Sequence, residues 1–338
     1  PELFTGTPAE WDGFAAAQSG FTHFHRFGWK PLIEQVFGHE CLYLAVRDDL
    51  PSLAAVLPLV RLKSLLFGHY LVSMPFLNYG GPLGSGPAIR LLTAEAVSRA
   101  GQTGVRLLEL RSRASQPLEL PVSHRKITVV LDLPDNAATL LSSFPAKLRS
   151  QVRRPGKEGV TVRFGPDQVR PFYDVFSRHM RDLGTPTLPQ RFFDAVAERF
   201  PEAWFGCAWL GARSIAGGVA FRWGREVEIT WASSLGAYRR IAPNMLLYWA
   251  FMERAISEGI TLFNFGRCTP GSGTHRFKRQ WGSRDEPLWW YQWAREGAGP
   301  AATPSPDQSQ YAWGPRLWKY LPLGLSRRLG PLIVRSIP

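Results

Sequence analysis

Two cation-rich stretches hold most of the residues in this sequence that could do chemistry. In EITWASSLGAYRRIAPNMLLYWAFMERAISEGI (residues 228–260), a strand ending at Ser233 and Ser234 enters a Gly/Ala turn bearing Arg239 and Arg240, which leads into a long apolar helix. Backbone N–H groups at such a helix start, reinforced by two guanidinium groups, make a cradle for a phosphate or pyrophosphate. A β-to-α turn whose arginines are only solvated has the same sequence signature. In FNFGRCTPGSGTHRFKRQWG (residues 263–282), a strand delivers Asn264, Gly266 and Arg267 to a Gly- and Pro-rich loop that ends in Phe277, Lys278 and Arg279. Exposed glycine-rich backbone beside fixed cations can grip an acyl or phosphoryl group and stabilise charge developing on its oxygen. A long structural loop is the competing reading.

Two further clusters are candidates for substrate binding. Lys147, Arg149, Arg153, Arg154 and Lys157 crowd one helix. Spacing of three and four puts Arg149 and Arg153 on one face, a self-repulsion that a polyanionic ligand or plain solvation would relieve. In NYGGPL (residues 78–83), Tyr79 carries a hydroxyl while Gly80 and Gly81 allow close backbone approach to a ligand, or to the protein itself. The chain has no GxGxxG, Walker lysine loop, HExxH or GxSxG. His23 and His25 would share a strand face but lack a nearby third ligand, and the three cysteines (41, 207, 268) are too scattered for a zinc knuckle or disulfide scaffold. Cys268 beside glycine-rich backbone is a minor candidate for a nucleophile, with no His grouped with it in sequence.

The elements that must position these residues come in two similar runs. The first has one or two short helices over 11–36, strands over 41–46 and 54–60, a backbone-exposing loop over 74–84, a helix over 89–103 and strands over 105–111 and 127–133. The second has a basic helix over 136–154 stopped by Pro155–Gly156, a strand over 160–164, helices over 170–181 and 189–200, and a meander over 204–210, 214–223 and 226–233. The helix 243–258 and the strand 262–265 complete it. Repetition of this order predicts an α/β (α+β) fold of two domains, 1–135 and 136–295, each with a mixed, largely antiparallel sheet flanked by helices. A Pro/Ala/Gly/Ser-rich tether over 296–310 then precedes a basic, apolar segment, 311–338.

The 338 residues are 45% hydrophobic, enough for two packed cores. Lys and Arg number 14 against 12 Asp and Glu over residues 1–150, and 26 against 15 over 151–338, so an anionic partner belongs to the second half. The sequence opens at Pro1 without Met, which reads as a trimmed start, and it has no apolar run long enough to span a bilayer. The terminal segment mixes Trp318, Leu321, Leu325, Leu329 and Leu332 with Arg316, Lys319, Arg327 and Arg328. It suits an anionic membrane surface or packing across the body.

KLRSQVRRPGKEG (147–159), the long run from SSLGAYRR to KRQWG (233–282) and, in support, NYGGPL resemble the FemAB-like tandem-GNAT-fold acyltransferases over about residues 10–295. The nearest likeness is to the subgroup associated with exosortase and exopolysaccharide loci. The resemblance implies two GNAT-like domains, the second retaining the acyl-donor architecture, and transfer of an acyl or aminoacyl group to an amine of a cell-envelope or polysaccharide-related substrate. It implies Lys278, with Asn264 and Arg267, as the catalytic set, and Phe277–Lys278 as the pair beside the donor carbonyl. Arg239 and Arg240, with Ser233 and Ser234, would bind the donor; Tyr79, Gly80, Gly81, Lys147, Arg149 and Arg153 would bind substrate. No tightly bound cofactor is expected, the co-substrate being acyl-CoA, acyl-carrier protein or aminoacyl-tRNA, and the place of work being the cytoplasm at the inner face of the membrane. Asn264 stands where an acidic residue is common, Cys268 where a small hydroxyl residue is expected, and the helical hairpin associated with tRNA is absent, which leaves the acyl-CoA and carrier-protein donors open. Modification of an exopolysaccharide precursor and a non-catalytic scaffold in envelope assembly are the alternatives.

Overall fold

The computed structural model describes residues 1–49, 52–64, 67–295 and 313–337. The sequence-predicted tether 296–310 lies outside them. The described residues form two compact units, 1–126 with 287–295 and 335–337, and 127–286 with 313–334. Each is built on a mixed, largely antiparallel sheet flanked by helices, as the two-domain reading expects.

The first unit contains β1 (Glu2–Leu3), α1 (Pro8–Ala16), α2 (Trp29–Phe37), β2 (Glu40–Arg47), β3 (Leu53–Ser64), β4 (Gly68–Val72), β5 (Leu83–Gly84), α3 (Gly86–Gln102), β6 (Leu107–Ser112) and β7 (Val122–Ser123). Its sheet runs β1-β2-β3-β4-β6-β15-β7, where β15 (Trp289–Ala294) arrives after the whole of the second unit's sheet has passed. The register Trp290↔Arg111 and Trp293↔Leu108 puts β15 against β6. The boundary falls at Lys126 rather than at 135, because Ile127 opens a strand whose ladder partner is the second unit's strand ending at Cys268, and a strand is assigned by its ladder partner and not by its nearest neighbour in sequence. β3 pairs first with β4 (Val60↔Val72) and then with β5 (Val56↔Leu83), so residues 73–82 leave the sheet as a ten-residue excursion.

The second unit contains β8 (Ile127–Asp132), α4 (Ala137–Ser143), α5 (Ala146–Lys157), β9 (Val160–Phe164), α6 (Val169–Leu183), α7 (Gln190–Arg199), β10 (Trp204–Leu210), β11 (Arg213–Trp223), β12 (Glu226–Ser234), α8 (Pro243–Ser257), β13 (Leu262–Cys268), α9 (Gly273–Arg279), β14 (Arg284–Pro287), α10 (Trp313–Trp318) and α11 (Leu323–Val334). Its sheet order is β14-β8-β13-β12-β11-β10-β9. α8 is apolar on most sides and packs against β10, β11 and α5. Burying Leu247, Phe251 and Met252 there stabilises the unit by about 1.5–3 kcal/mol per side chain.

The single basic helix expected over 136–154 is two helices. Pro145 forces Phe144 into an extended conformation (φ −75°, ψ 146°), which ends α4 and starts α5. Pro155, expected to stop the helix, lies buried in its last turn, and the chain turns away at Gly159 (φ +81°). The expected loop after β13 contains the short helix α9, whose N-cap Ser272 accepts from the His275 N–H.

Candidate active site

β12 and β13 are the one parallel pair in the second sheet among the described residues. Their ladder holds for three pairs, Glu226↔Leu262, Val227↔Phe263 and Glu228↔Asn264, and then stops, although each strand continues along its other neighbour. β12 has a bulge against β11 between Val219 and Ala220, and β13 has one against β8 between Asn264 and Arg267. Bulges bend a strand and sharpen its twist, so a bulge on the outer side of each strand makes the inner sides part. A fork therefore opens toward the C-terminal ends of two parallel strands, the end of an α/β sheet where ligands bind.

The floor of the fork is polar and buried. Asn264 donates from Nδ2 to Glu226 (2.8 Å) and accepts at Oδ1 from Thr128 Oγ1 (2.7 Å) and from the Gly266 N–H (2.8 Å). It thus fastens three elements and shapes the β13 bulge, where Gly266 sits at φ +73°, a conformation that penalises a side chain. Glu228, fully buried, accepts from Thr230 Oγ1 (3.3 Å).

Lys278 reaches this floor from α9. It is 3% exposed, and its Nζ donates to the carbonyls of Gly266 (2.6 Å) and Arg267 (3.0 Å). Burial pushes its ammonium down to about 8; the nearby Cys268 and Glu228 oppose that shift and Arg267 adds to it. Phe277 is held by Tyr248 (ring centroids 5.0 Å) and Trp281, so this aromatic anchor and the cation occupy successive positions of one helix. His275 accepts from the Gly271 N–H at Nδ1 (3.0 Å) and meets Asp285 at Nε2 (3.0 Å), which pins the start of α9.

Other sequence-predicted residues are placed as follows. Asn264, Gly266, Arg267 and Lys278 come together at the fork. Arg239 and Arg240 are exposed on the turn leaving β12, at the same end of the parallel pair. Ser233 is buried, with its hydroxyl 3.0 Å from His179 Nδ1 on α6, and Ser234 is half-buried opposite Ala216. Burial holds His179 below the usual imidazole range. On α5, Lys147, Arg153 and Arg154 are exposed, whereas Arg149 turns back to donate to the Phe144 carbonyl (2.5 Å) at the end of α4.

In the first unit, Tyr79 is wholly buried and lies under Arg113 (5.9 Å). The N–H groups of Gly80 and Gly81 both donate to the Arg111 carbonyl (3.0 and 2.9 Å). A Cβ on Gly81 would come within 2.1 Å of Ser112 Oγ, so the close approach made here is to the protein's own β6. His23 and His25 lie in a short 3-10 turn rather than on a strand, and their carbonyls accept from the indoles of Trp29 and Trp11. His25 accepts at Nδ1 from the Thr22 N–H and is 3.0 Å from the Gly81 carbonyl at Nε2. Burial takes it to about 4, so it stays neutral and serves as a prop for the 73–82 excursion. No group of three metal-ligating side chains occurs among the described residues.

Glu228 and His179 were not singled out from sequence. The signal for Glu228 was present: in EVEITW, Glu226 and Glu228 alternate with Val227 and Ile229, a pattern that usually means a solvated face.

A family model for the acetyltransferase (GNAT) domain matches residues 142–279, which takes in the fork, α5, the Arg239–Arg240 turn and Lys278. Among curated proteins, the chain is similar to a UDP-N-acetylmuramoylpentapeptide-lysine N(6)-alanyltransferase of Weissella viridescens, 25% identical over 136 residues, 37% of this chain. The match spans only 40% of that relative's length. Among solved structures, FemX superposes with a TM-score of 0.64 at 15% identity over 86% of this chain and 97% of that one. L-PGS from Bacillus licheniformis gives 0.57 at 12% over 98% and 97%. These structural likenesses establish a shared fold, and with the domain match they give the second unit a GNAT fold.

Proposed function

We propose that the chain is an N-acyltransferase that moves an acyl or aminoacyl group onto an amine of a cell-envelope or polysaccharide-related substrate. The observation that carries the reading is the fork between β12 and β13 with the buried Lys278 ammonium at its floor. A thioester or ester donor lies along the parted strands, its phosphates toward Arg239 and Arg240, with its carbonyl beside Lys278. The substrate amine attacks that carbonyl directly, and charge developing on the oxygen is held by Lys278 and by backbone N–H groups freed where the ladder stops. The C–N bond forms as the C–S or C–O bond breaks; Glu228 takes the proton lost by the amine, and the departing thiolate or alkoxide is protonated in turn.

The Weissella relative is named for alanyl transfer to the lysine of a UDP-linked muramoylpentapeptide, which supports an anionic, envelope-related acceptor. The exposed Lys147 and Arg153 suit such an anion. Tyr79, Gly80 and Gly81 position the first unit's own loop. The resemblance to exopolysaccharide-associated FemAB-like proteins favours an acceptor of that pathway type, met in the cytoplasm at the inner membrane face. No helix among the described residues is long and apolar enough to cross a membrane.

Native mass spectrometry of the purified protein against acyl-CoAs, acyl-carrier protein and aminoacyl-tRNA tests the donor. Retention of a coenzyme or carrier that Arg239→Glu/Arg240→Glu abolishes is the expected result. Retention of aminoacyl-tRNA alone would assign the cross-bridge type of donor, and retention of none would remove the acyltransferase reading.

A further inference from the structure

The helix α11 docks with its small residues inward and several of its leucines outward. α11 buries Ser326 and Gly330, and Gly330 lies so close to Thr187 that a Cβ would fall 2.8 Å from its backbone nitrogen. Arg327 fastens the helix to α6, donating from Nε to Ser177 Oγ (2.9 Å) and from Nη2 to Asp174 (2.6 Å) and lying over the Tyr173 ring. On the outer side, Leu325, Arg328, Leu329 and Leu332 follow one another at i, i+3, i+4 and i+7, a single strip. α10 and the turn after it add Leu317 (64% exposed) and Tyr320 (87% exposed), alternating with the exposed Arg316 and Lys319.

This exposure is concentrated. Five of the nine large hydrophobic side chains exposed among the described residues belong to this one segment, which marks an interaction surface rather than scattered surface leucines. Its charge has one sign: no Asp or Glu follows Asp307, whereas Arg316, Lys319, Arg327, Arg328 and Arg335 do. Beside the first turn of α11, Leu323 joins Arg178, Arg213, Val175 and Trp209 around a recess of about 380 Å³, where the one carboxylate, Asp174, is taken up by Arg327 and leaves Arg178 and Arg213 facing the space.

We propose that the strip Leu317–Tyr320–Leu325–Leu329–Leu332 is a peripheral docking surface for an anionic phospholipid bilayer, with the arginine recess taking a headgroup phosphate. A twelve-residue helix is too short to span the hydrocarbon but well suited to lie in its boundary. There the leucines enter the acyl edge, Tyr320 sits at the headgroups, and Arg316, Lys319 and Arg328 extend to the phosphates. A second copy of this chain would bring the same cations face to face, which disfavours self-association through this surface.

The proposal does not depend on the acyl-transfer reading, and its test does not use activity. The full chain is sedimented with vesicles of phosphatidylcholine alone and of phosphatidylcholine containing phosphatidylglycerol. Binding to the anionic vesicles only, weakened by salt, is expected. Leu325→Glu/Leu329→Glu/Leu332→Glu should lower it by about tenfold or more, and Leu332→Glu alone, at the most exposed of the three (64%), should lower it with an unchanged melting temperature. Arg178→Glu/Arg213→Glu should reduce the phosphatidylglycerol preference while leaving the apolar strip intact. Equal sedimentation of the triple variant, or equal binding to both vesicle types, would overturn the proposal. So would a concentration-dependent dimer in light scattering that the triple variant dissolves while vesicle binding is absent. Unchanged acyl transfer in a Lys278→Ala variant, or no acyl transfer by a parent chain that still sediments, would count against the enzymatic reading alone.

Discussion

Among the described residues each sheet contains one parallel strand pair joined through a helix, and the two units treat the space beside that pair in opposite ways. In the first unit, β4 and β6 pair at Tyr70↔Leu107, Leu71↔Leu108 and Val72↔Glu109, and the chain then leaves β4 for the excursion 73–82. The excursion folds back on β6: Ser73 N–H donates to Glu109, Ser73 Oγ accepts from the Arg111 N–H, and Gly80 and Gly81 donate to Arg111. Behind it lies a wholly buried ion pair, Arg111 to Glu109 (2.8 Å), with Gln292 on the second carboxylate oxygen and Trp290 under the guanidinium. In the second unit the departure at the corresponding place is a bulge, and the strands part over Glu228, Asn264 and Lys278. One gap is filled by the chain's own backbone, with two non-glycine residues, Met74 (φ 52°) and Phe76 (φ 72°), held in the strained left-handed region to do it. In the other the ladder stops over buried polar side chains. Two units of one architecture thus differ in their forks: the first closes its own with backbone, and the second is the one for which we propose chemistry.

The contrast predicts that substitutions in the first fork act on stability and those in the second on turnover. Glu109→Ala leaves the Arg111 charge buried and uncompensated, and should destabilise the fold by about 3–5 kcal/mol in urea unfolding; a loss under 1 kcal/mol would mean that the first fork is not closed by this pair. Lys278→Ala should cut turnover by about 10²–10³-fold, equivalent to roughly 3–4 kcal/mol of transition-state stabilisation. An unchanged turnover number would end its catalytic assignment. Glu228→Gln, isosteric and uncharged, should cost about 10²-fold at neutral pH, and a variant as fast as the parent would exclude it as the base. Gly81→Ala should destabilise by about 1–3 kcal/mol through its clash with Ser112 and leave turnover per folded molecule unchanged; a selective drop in turnover would make the excursion part of the site.

The smallest effect expected is in the pH dependence. Lys278 titrates near 8 in the fold against 10.5 as an ordinary lysine, so between those values the unfolded chain binds more protons and this group's contribution to stability rises with pH. Over the same window the oxyanion-holding ammonium is lost, so kcat/KM should fall above about pH 8 while stability does not. Lys278→Arg should move the alkaline limb upward, and a limb that stays in place in that variant would show that another group sets it.

Much of the architecture was legible because it depends on local periodicity. The alternation in β10, β11 and β12 and the apolar run of α8 leave little choice of element. What was not legible depends on partners distant in sequence. β8 belongs to the second sheet because Asn264 and Thr128 meet across 136 positions, and β15 to the first because of β6. Within the site, Lys278, Gly266 and Arg267 were readable from composition and resemblance. Glu228 was hidden by a strand pattern that looks solvated, and its burial comes from neighbours the local sequence does not name.

The late arrival of β15 sets an order of events during synthesis. The first sheet needs a strand that lies beyond residue 286, so the sheet that begins the chain is the later of the two to be completed as it leaves the ribosome. Until then β6 presents an open edge and Glu109 waits for Gln292, while every strand of the second sheet has already been made. The amino-terminal sheet therefore stays open along one edge until residue 294 has emerged.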